Sequence, residues 1–473
     1  MLFNTLEYGV FLVVVVALYY ALSPRARTYL LFAASIFFYM SWKAEYILLL
    51  LGTVTLYYVF LRQMSKRETG RKFWLILCLI VALSPLAYFK YSSFLYSNAV
   101  SVFNVLFGFD LVSRKFNLIL PLGISFYTFQ LLSYAMDIYR GKASLERYWV
   151  FLLYILFFPH LIAGPIVRAH ILMPQIASRS CAADSKQFDD GITLILFGLF
   201  KKVVIADYLA SLVDPRFVGK ASIPSSGLDC LLLLYAFSFQ IYFDFAGYSD
   251  IARGSAKLLG FELPVNFNFP YVARNVREFW RRWHITLSTW LRDYLYIPLG
   301  GSRKGELRLY FSLFMTMVIG GLWHGAAWTF VYWGALHGIA LMITRFFQEK
   351  RRASEKEPAE DRGGPMRNFF SVLLTYNLVC LGWLFFRAPG LDFVKAFLSQ
   401  LLHFAPGYLE SNLPPTLGPL LLCLFVGQWL IHSVRDRIHL PAPRLARAFV
   451  FAILIIVITI FSQRGTSFLY FQF

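Results

Sequence analysis

The sequence has few charged residues and few cysteines. Asp, Glu, Lys and Arg make up 15% of the chain and hydrophobic residues 58%, whereas a soluble domain has about 25% charged and about 45–50% apolar residues. A soluble fold could not bury that much apolar surface, so lipid is the expected solvent. The five cysteines are scattered. Because no CxxC or Cys/His spacing accompanies them, we expect neither a disulfide framework nor a zinc site.

Several sequence motifs of well-known enzyme classes are also missing. The chain contains no Walker loop, no dinucleotide fingerprint, no HExxH zinc helix and no GxSxG motif. These motifs supply a phosphate cradle, a pair of metal ligands or an activated serine. We therefore expect no bound cofactor, no metal and no covalent serine chemistry.

Continuous apolar runs recur along the whole chain. Many approach the roughly 17–25 residues that a helix needs to cross a bilayer. We predict an all-α, polytopic integral membrane bundle of about eleven to thirteen membrane helices, in which the shorter runs are re-entrant or interfacial. No composition break marks a second domain, so 1–473 is expected to form a single membrane-embedded domain. The runs are 8–22, 28–41, 44–62, 73–89, 91–109, 117–136, 148–166, 190–206, 228–248, 309–331, 333–347, 368–387, 417–434 and 446–462.

The basic residues lie mainly in short loops between these runs. A net charge of +19 would indicate nucleic acid binding in a soluble protein. In a membrane protein it is explained by the excess of Lys and Arg in cytoplasmic loops. Glu7 precedes the first run, and Arg25 and Arg27 follow it. This pattern predicts an N-terminus outside the cell and a first helix that is retained. We expect a lipid bilayer, and no nucleic acid, as a partner.

The stretch 240–308 is too polar for a simple membrane span and too aromatic for a soluble loop. Asn266, Asn268 and Pro270 make 265–272 an irregular turn region. The apolar residues that follow fall on one face at helical spacing, which predicts one amphipathic helix at the cytoplasmic interface. They are Val276, Phe279, Trp280, Trp283, Leu287, Trp290, Leu291 and Tyr294, flanked by Arg274, Arg277, Arg281, Arg282 and Arg292.

Two histidines, His324 and His284, are the strongest candidates for chemistry. Ionisable residues inside membrane segments are costly to bury and are functional by default. His324 ends an apolar run and lies among glycines, in GGLWHG. Its alternative role is that of a core histidine that donates to a carbonyl. His284 lies close to Arg281 and Arg282, and guanidinium groups nearby favour a neutral imidazole. A role beside lipid headgroups is equally open for His284.

Two further histidines are weaker candidates. On one straight helix, His337 would lie about 220° around the axis from His324. The two would then face apart, unless the glycines break the helix. His160 lies between Pro159 and Pro165. Because a broken helix at membrane depth lines a cavity or is buried in protein, His160 could line a cavity or have a structural role.

A histidine beside a second polar group suits acyl transfer from a thioester to a hydroxyl. The histidine takes the hydroxyl proton as the oxygen attacks, which contributes typically about 10²–10⁴-fold. The second group orients the donor or polarises its carbonyl as negative charge develops. The arginines could hold donor phosphates or could be ordinary cytoplasmic charge. The residues expected to bind the donor or wall a tunnel are Trp280, Trp283, Trp323, Arg277, Arg281, Arg282, His160, Asn266 and Asn268.

The segments that carry these residues resemble the membrane-bound O-acyltransferase (MBOAT) family. The resemblance is closest to the bacterial branch that contains the membrane subunit of alginate O-acetylation. Its most specific signals are FWRRWH and WHG. The segments are 121–141, 157–168, 240–254, 266–303, 320–338 and 382–389.

The resemblance implies a helical bundle around a tunnel in a bacterial inner membrane, with a catalytic core expected at about 117–345. The family's near-invariant histidine corresponds to His324 and its second polar residue to His284. An acetyl group would pass from a cytoplasmic thioester, acetyl-CoA as co-substrate, towards a secreted polysaccharide such as alginate. Separate periplasmic acetyltransferase proteins would complete the transfer. D-alanyl transfer to teichoic acid is an alternative, and so is a non-catalytic transporter of polysaccharide or lipid.

Overall fold

The computed structural model describes residues 1–114, 116, 118–162, 164–178, 182–217, 223–224, 226–354, 364–403, 413–434, 444–462 and 469. Throughout this part of the chain the regular elements are helices and no strand occurs, which confirms the all-α prediction. Two compact units can be distinguished. The first comprises Met1–Ile195 with Tyr248–Pro264, and the second comprises Leu196–Gly247 with Val265–Phe473. A single domain over the whole chain stays a prediction.

The first unit is built on a set of helices that begin before residue 196. Helices α3, α4 and α6 of this set pack against one another. Tyr57 of α3 is fully buried there and donates a hydrogen bond to the carbonyl oxygen of Leu131 in α6 at 2.5 Å. The helices are α1 (Leu6–Ala21), α2 (Pro24–Met40), α3 (Tyr46–Lys66), α4 (Arg71–Leu86), α5 (Ser92–Phe107), α6 (Ile124–Tyr139), α7 (Tyr148–Leu156), α8 (Phe158–Leu161), α9 (Ala169–Ser178) and α10 (Ser185–Leu199).

The second unit holds the remaining helices, apart from the end of α12, which belongs to the first unit from Tyr248 onward. A π-helical segment, Phe200–Ala206, leads into it, and a second one, Arg292–Tyr296, follows α14. The helices are α11 (Asp207–Phe217), α12 (Gly227–Leu258), α13 (Val276–Arg282), α14 (Ile285–Leu291), α15 (Glu306–His324), α16 (Trp328–Ser354), α17 (Pro365–Arg387), α18 (Leu391–Leu401), α19 (Leu417–Val434) and α20 (Arg444–Phe461).

Five helical stretches of the described chain are long and apolar enough to cross a membrane. This finding confirms a multi-pass membrane protein. The five stretches are fewer than the predicted eleven to thirteen membrane helices. Some predicted spans are shorter helices, since 148–166 is interrupted after Leu156. Others join, since a π-helical segment, Ala87–Tyr91, connects α4 and α5 into one continuous stretch, Arg71–Phe107. The five are Tyr46–Lys66, Arg71–Phe107, Gly227–Leu258, Trp328–Lys350 and Pro365–Arg387, and shorter apolar helices are Leu6–Ala21, Leu417–Ser433 and Leu445–Phe461.

Helices α15 and α16 form a tight hairpin in the second unit. Glycines allow the two backbones to touch, since a Cβ atom on Gly321 would clash with the carbonyl oxygen of Phe330, and one on Gly334 with that of Met317. Close approach of this kind is the usual role of small residues between membrane helices. The hairpin turn follows His324 directly, so the end of α15 lies against the first turns of α16.

Candidate active site

The second unit contains one large aromatic and aliphatic core, and three histidines are buried in it. The exposed fractions of His284, His324 and His337 are 0%, 6% and 0%. A buried imidazole in an apolar core is costly unless its nitrogens are bonded or in use. The surroundings of each ring therefore decide what it can do.

His284 lies at a break between two short helices. The predicted single amphipathic helix is wrong, because α13 ends at Arg282 and α14 begins at Ile285. His284 has φ 41° and ψ 55°, in the left-handed region that non-glycine residues avoid. The apolar face was predicted correctly, since Phe279, Trp283 and the other residues of that face are buried. The helix breaks at His284 because the left-handed backbone conformation of this residue cannot continue a right-handed helix.

Asn266 fixes this strained turn. Its carbonyl oxygen accepts a hydrogen bond from the backbone N–H of Ile285 at 2.9 Å. Its side-chain oxygen accepts the hydroxyl of Thr286 at 2.7 Å and the backbone N–H of the same residue at 3.3 Å. The backbone N–H of Asn268 donates to the carbonyl oxygen of Arg282 at 2.9 Å, and the Arg282 guanidinium donates to the carbonyl oxygen of Asn268 at 3.3 Å. These bonds hold the irregular segment against the start of α14, and so hold the backbone that carries His284.

The imidazole of His284 is surrounded by aromatic rings. The ring centroid lies 4.7 Å from that of Phe245 and 6.4 Å from that of Phe267. Among the described residues, neither ring nitrogen has a hydrogen-bond partner. Burial lowers the pKa of His284 to about 3. The imidazole is therefore neutral, as expected from the sequence, but burial rather than the neighbouring guanidinium groups is the cause.

His324 is the last residue of α15. Gly325 follows it in an extended conformation, with φ −159° and ψ 146°, so the chain leaves the helix directly after the imidazole. The ring packs against Trp323, Trp333 and Phe386, with centroid distances of 4.7, 5.1 and 5.2 Å. The glycine-rich sequence around His324 thus places it at a helix end inside an aromatic enclosure.

His337 shares a neighbour with His324. Its ring centroid lies 4.9 Å from that of Trp333 and 5.3 Å from that of Trp280. The angle of about 220° expected on one straight helix does not apply, because the helix ends at His324 and a new one begins at Trp328. The structure therefore brings His337 close to His324, because both imidazoles contact Trp333.

A series of ring contacts connects His284 to His324. Phe267 contacts Trp283 at 5.0 Å, Trp283 contacts Trp383 at 4.8 Å, and Trp383 contacts Phe386 at 5.5 Å. These four rings lie between the two imidazoles along this path. The two histidines belong to one core, and each has its own set of aromatic neighbours.

The three predicted arginines have different environments. Arg282 donates two hydrogen bonds to one oxygen of Glu278, at 3.0 and 2.8 Å. Arg277 donates to the side-chain oxygen of Gln348 at 3.0 Å. Arg281 is exposed. The predicted tryptophans Trp280, Trp283 and Trp323 are all buried in the core, with 8%, 1% and 7% of their surface exposed.

His160 belongs to the first unit. It is 2% exposed, and its Nε2 atom lies 2.8 Å from the side-chain nitrogen of Gln130. Gly164 gives it room, since a Cβ atom there would come within 2.8 Å of the His160 Cβ atom. This hydrogen bond supports the structural role that the sequence left open beside a cavity-lining one.

Comparison with known proteins identifies the class of this site. Residues 148–386 match the sequence model of the membrane-bound O-acyltransferase family, MBOAT. The chain belongs to the MBOAT family. It is 41% identical over 406 residues to the "Probable alginate O-acetylase AlgI" of Pseudomonas aeruginosa, which covers 85% of this chain and 74% of that protein. The predicted family is therefore confirmed.

The names of two other relatives specify different acceptors. The chain is 38% identical over 401 residues to the "Peptidoglycan O-acetyltransferase" of Helicobacter pylori, covering 79% of this chain and 73% of that protein. It is 30% identical over 290 residues to the "Teichoic acid D-alanyltransferase" of Bacillus subtilis, covering 57% and 69%. The protein is an O-acyltransferase, and membership of this family argues against the transporter alternative.

Several aromatic residues of the core were not predicted from the sequence. Trp333 touches both His324 and His337, and Trp383 and Phe386 connect this region to Trp283. The sequence did offer one signal for the contact between Trp333 and His337. The two lie four residues apart on α16, and residues at this spacing share a helix face. The segment 382–389 contributed to the resemblance but received no role.

Proposed function

We propose that this protein transfers an acetyl group from a cytoplasmic thioester, acetyl-CoA, across the membrane for O-acetylation of a secreted polysaccharide such as alginate. The observation that carries the proposal is His324. It is a buried imidazole at a helix end, enclosed by three aromatic rings, within the segment that matches the MBOAT family. The similarity to proteins named alginate O-acetylase supports the acetyl group and the acceptor class.

In the proposed reaction, His324 is the general base. Its ring nitrogen takes the proton of the acceptor hydroxyl while the oxygen attacks the thioester carbonyl carbon. The carbon–oxygen double bond opens and forms an oxyanion. When this intermediate collapses, the carbon–sulfur bond breaks and the thiolate leaves with the proton that the histidine holds. The products are an oxygen ester and free CoA thiol.

His284 orients the donor in this proposal. A neutral imidazole that is buried with both nitrogens unbonded among the described residues can donate to, or accept from, a bound molecule. The strained backbone of His284 supports a functional role, because such strain clusters at active sites. Trp280, Trp283 and Trp323 wall the passage, and the exposed Arg281 meets the donor phosphates.

The proposal also includes a location and partners. The protein would lie in the bacterial inner membrane with its N-terminus outside, as the distribution of Arg25 and Arg27 predicts. Periplasmic acetyltransferase proteins would pass the acetyl group to the polymer. D-alanyl transfer remains the alternative within the family, although the matching D-alanyltransferases align with only 56–57% of this chain.

The test is donor turnover by the purified protein in liposomes. Acetyl-CoA with a radiolabelled acetyl group is added on the side where Arg281 is exposed, with the polysaccharide acceptor and a periplasmic acetyltransferase protein on the other side. Release of CoA thiol and transfer of the label are followed. We expect thiol release that depends on the protein and label that moves away from CoA. Turnover of a D-alanyl carrier thioester with no turnover of acetyl-CoA would support the alternative, and turnover of neither would contradict the proposal.

A further inference from the structure

Beside His324 the core contains a cluster of three nitrogen-bearing rings, Trp280, Trp333 and His337. The ring centroids lie 5.7 Å apart for the two tryptophans, and 5.3 and 4.9 Å from each tryptophan to the histidine. Their exposed fractions are 8%, 1% and 0%. We call these residues the nitrogen cluster.

No nitrogen of the cluster has a hydrogen-bond partner among the described residues. This holds for Nε1 of Trp280, Nε1 of Trp333 and both ring nitrogens of His337. A buried polar group without a partner is costly, because it has lost its hydrogen bonds to water and gained none in the protein. The edge-to-face ring contacts supply weak N–H···π interactions at most. A molecule that accepted hydrogen bonds from these nitrogens would remove that cost.

The chemistry of the cluster defines the group that would bind. Each indole contributes one N–H donor, and a neutral imidazole contributes one donor and one acceptor. Donors outnumber acceptors, so the complement is an oxygen with lone pairs and no hydrogen. All three residues are without formal charge in this form, which suits a carbonyl oxygen that becomes negative during reaction better than a full phosphate charge.

The cluster lies next to the proposed base. Trp333 contacts His324 at 5.1 Å between ring centroids and His337 at 4.9 Å. On the far side of His337, the imidazole packs against Gly382 of α17, since a Cβ atom there would stand 2.7 Å from Nε2. An oxygen bound by the cluster would therefore be close to a proton-accepting imidazole.

We propose that Trp280, Trp333 and His337 bind the carbonyl oxygen of the acyl donor through their N–H groups and stabilise the oxyanion that forms when the acceptor attacks. This inference rests on the proposed function, since it takes His324 as the base and a thioester as the donor. The sequence left open whether His284 orients the donor or polarises its carbonyl. The cluster polarises the carbonyl, and His284 orients the donor.

The control residue for the experiment is Trp383. It lies in the same core and is 1% exposed, but its Nε1 atom donates to the hydroxyl of Tyr271 at 3.2 Å. Replacing Trp383 by Phe removes an indole of the same kind without removing an unbonded N–H group. A purely structural effect of losing a tryptophan would therefore appear in Trp383→Phe as well.

The experiment compares two unreactive analogues of acetyl-CoA with the full-length protein in nanodiscs. One is the ketone in which CH₂ replaces the sulfur and the carbonyl is retained. The other is S-ethyl-CoA, in which CH₂ replaces the carbonyl. We expect the wild type to bind the ketone more tightly by roughly two- to tenfold per hydrogen bond. Trp280→Phe, Trp333→Phe and His337→Leu should each reduce this preference, whereas Trp383→Phe should keep it.

Two further measurements separate the role of the N–H groups from packing. His337→Gln restores an N–H donor and should recover part of the preference that His337→Leu loses. The infrared C=O band of the bound ketone should lie at lower frequency in the wild type than in Trp333→Phe, because hydrogen bonds weaken the carbonyl bond. This band position does not depend on the amount of protein that is folded.

The outcomes distinguish this inference from the proposed function. Equal binding of both analogues by the wild type, or a preference unchanged in all three cluster variants, would overturn the carbonyl site and leave CoA as the donor. Binding of neither analogue would overturn the CoA donor, and with it the ligand assigned to the cluster.

Discussion

At the scale of single residues, His284 has the most unusual backbone of the candidate site. Its positive φ of 41° costs of order 1–3 kcal/mol, and such a conformation persists only where neighbours impose it. Asn266 does so through its bonds to Ile285 and Thr286. The strain places the imidazole between Phe245 and Phe267. We interpret the strain as part of donor orientation.

The variant His284→Asn separates backbone strain from imidazole chemistry. Asparagine is enriched in the left-handed region, so the protein should fold with a similar melting temperature. Because the donor is no longer oriented, turnover of acetyl-CoA should fall by about 100-fold. Both quantities can be measured on the same purified sample.

Phe269→Asn is the matched control. Phe269 also has a positive φ, 46°, and its ring contacts that of His432, outside the candidate site, at 5.8 Å. Its replacement by Asn should leave turnover per folded molecule unchanged. Full activity of His284→Asn would contradict a role for this imidazole.

The sequence predicted part of the site at this scale. His284 and His324 were recognisable because ionisable residues stand out in apolar segments. The contact of Trp333 with both His324 and His337 was not recognisable. It depends on α15 ending at His324 and α16 beginning at Trp328, and one residue more of helix would rotate His337 away.

At the scale of helices, the α15–α16 hairpin positions His324 relative to His337. The hairpin depends on glycines that let the backbones touch, Gly321 on α15 and Gly334 on α16. Apolar periodicity predicted a helix on each side of this turn, but the runs 309–331 and 333–347 put the boundary in the wrong place. The turn is itself apolar, in HGAAW, so hydropathy gives no signal there.

Gly334→Ala should damage this hairpin. The added methyl group meets the carbonyl oxygen of Met317, and overpacking of this kind costs typically about 1–3 kcal/mol. We expect a lower melting temperature in detergent and, because His324 and His337 move apart, lower turnover per folded molecule.

Gly427→Ala on α19 is the control for this substitution. Apart from the backbone of its own helix, no atom of the described residues lies within 4 Å of a Cβ atom built at Gly427. Alanine is also about 1 kcal/mol more favourable than glycine within a helix. This variant should be as stable as the wild type or more so. Equal stability of Gly334→Ala and Gly427→Ala would show that the hairpin does not need backbone contact.

At the scale of the whole second unit, a buried ion network ties distant parts of the chain together. Lys202, in the π-helical segment, lies 2.7 Å from carboxylate oxygens of both Asp207 and Asp244, and all three side chains are almost fully buried. The other oxygen of Asp244 accepts the backbone N–H of Leu469 at 2.8 Å. Lys202 therefore pairs with two carboxylates, one on α11 and one on α12. Through Asp244, α12 also binds the backbone of Leu469.

Lys202→Met should strongly destabilise the protein. It keeps the length of the side chain but removes the cation that contacts two buried carboxylates, and breaking a buried pair costs about 3–5 kcal/mol. The measurement is the unfolding midpoint in detergent. Lys395→Met is the control, because Lys395 pairs with Asp392 on the surface and exposed pairs contribute about 0–1 kcal/mol. Similar midpoints for the two variants would contradict the structural role of the network.

Composition and family motifs were sufficient to predict the fold class and the family, whereas the internal arrangement was not predictable from them. The apolar runs identified a multi-pass helical protein, and FWRRWH and WHG identified the family. The Lys202–Asp244 pair could not be foreseen, because the two residues lie far apart along the chain. Pairings of this kind depend on how helices pack in three dimensions.

The central claim is that His324 is the base of an acyl transfer, and one measurement tests it most directly. His324→Ala is compared with His403→Ala, an exposed histidine outside the site, in cells that produce the acetylated polymer, with the amount of folded protein in the membrane quantified for both. We predict that His324→Ala is present and folded but that the polymer carries no acetate, whereas His403→Ala acetylates normally. Normal acetate content with His324→Ala would contradict the account.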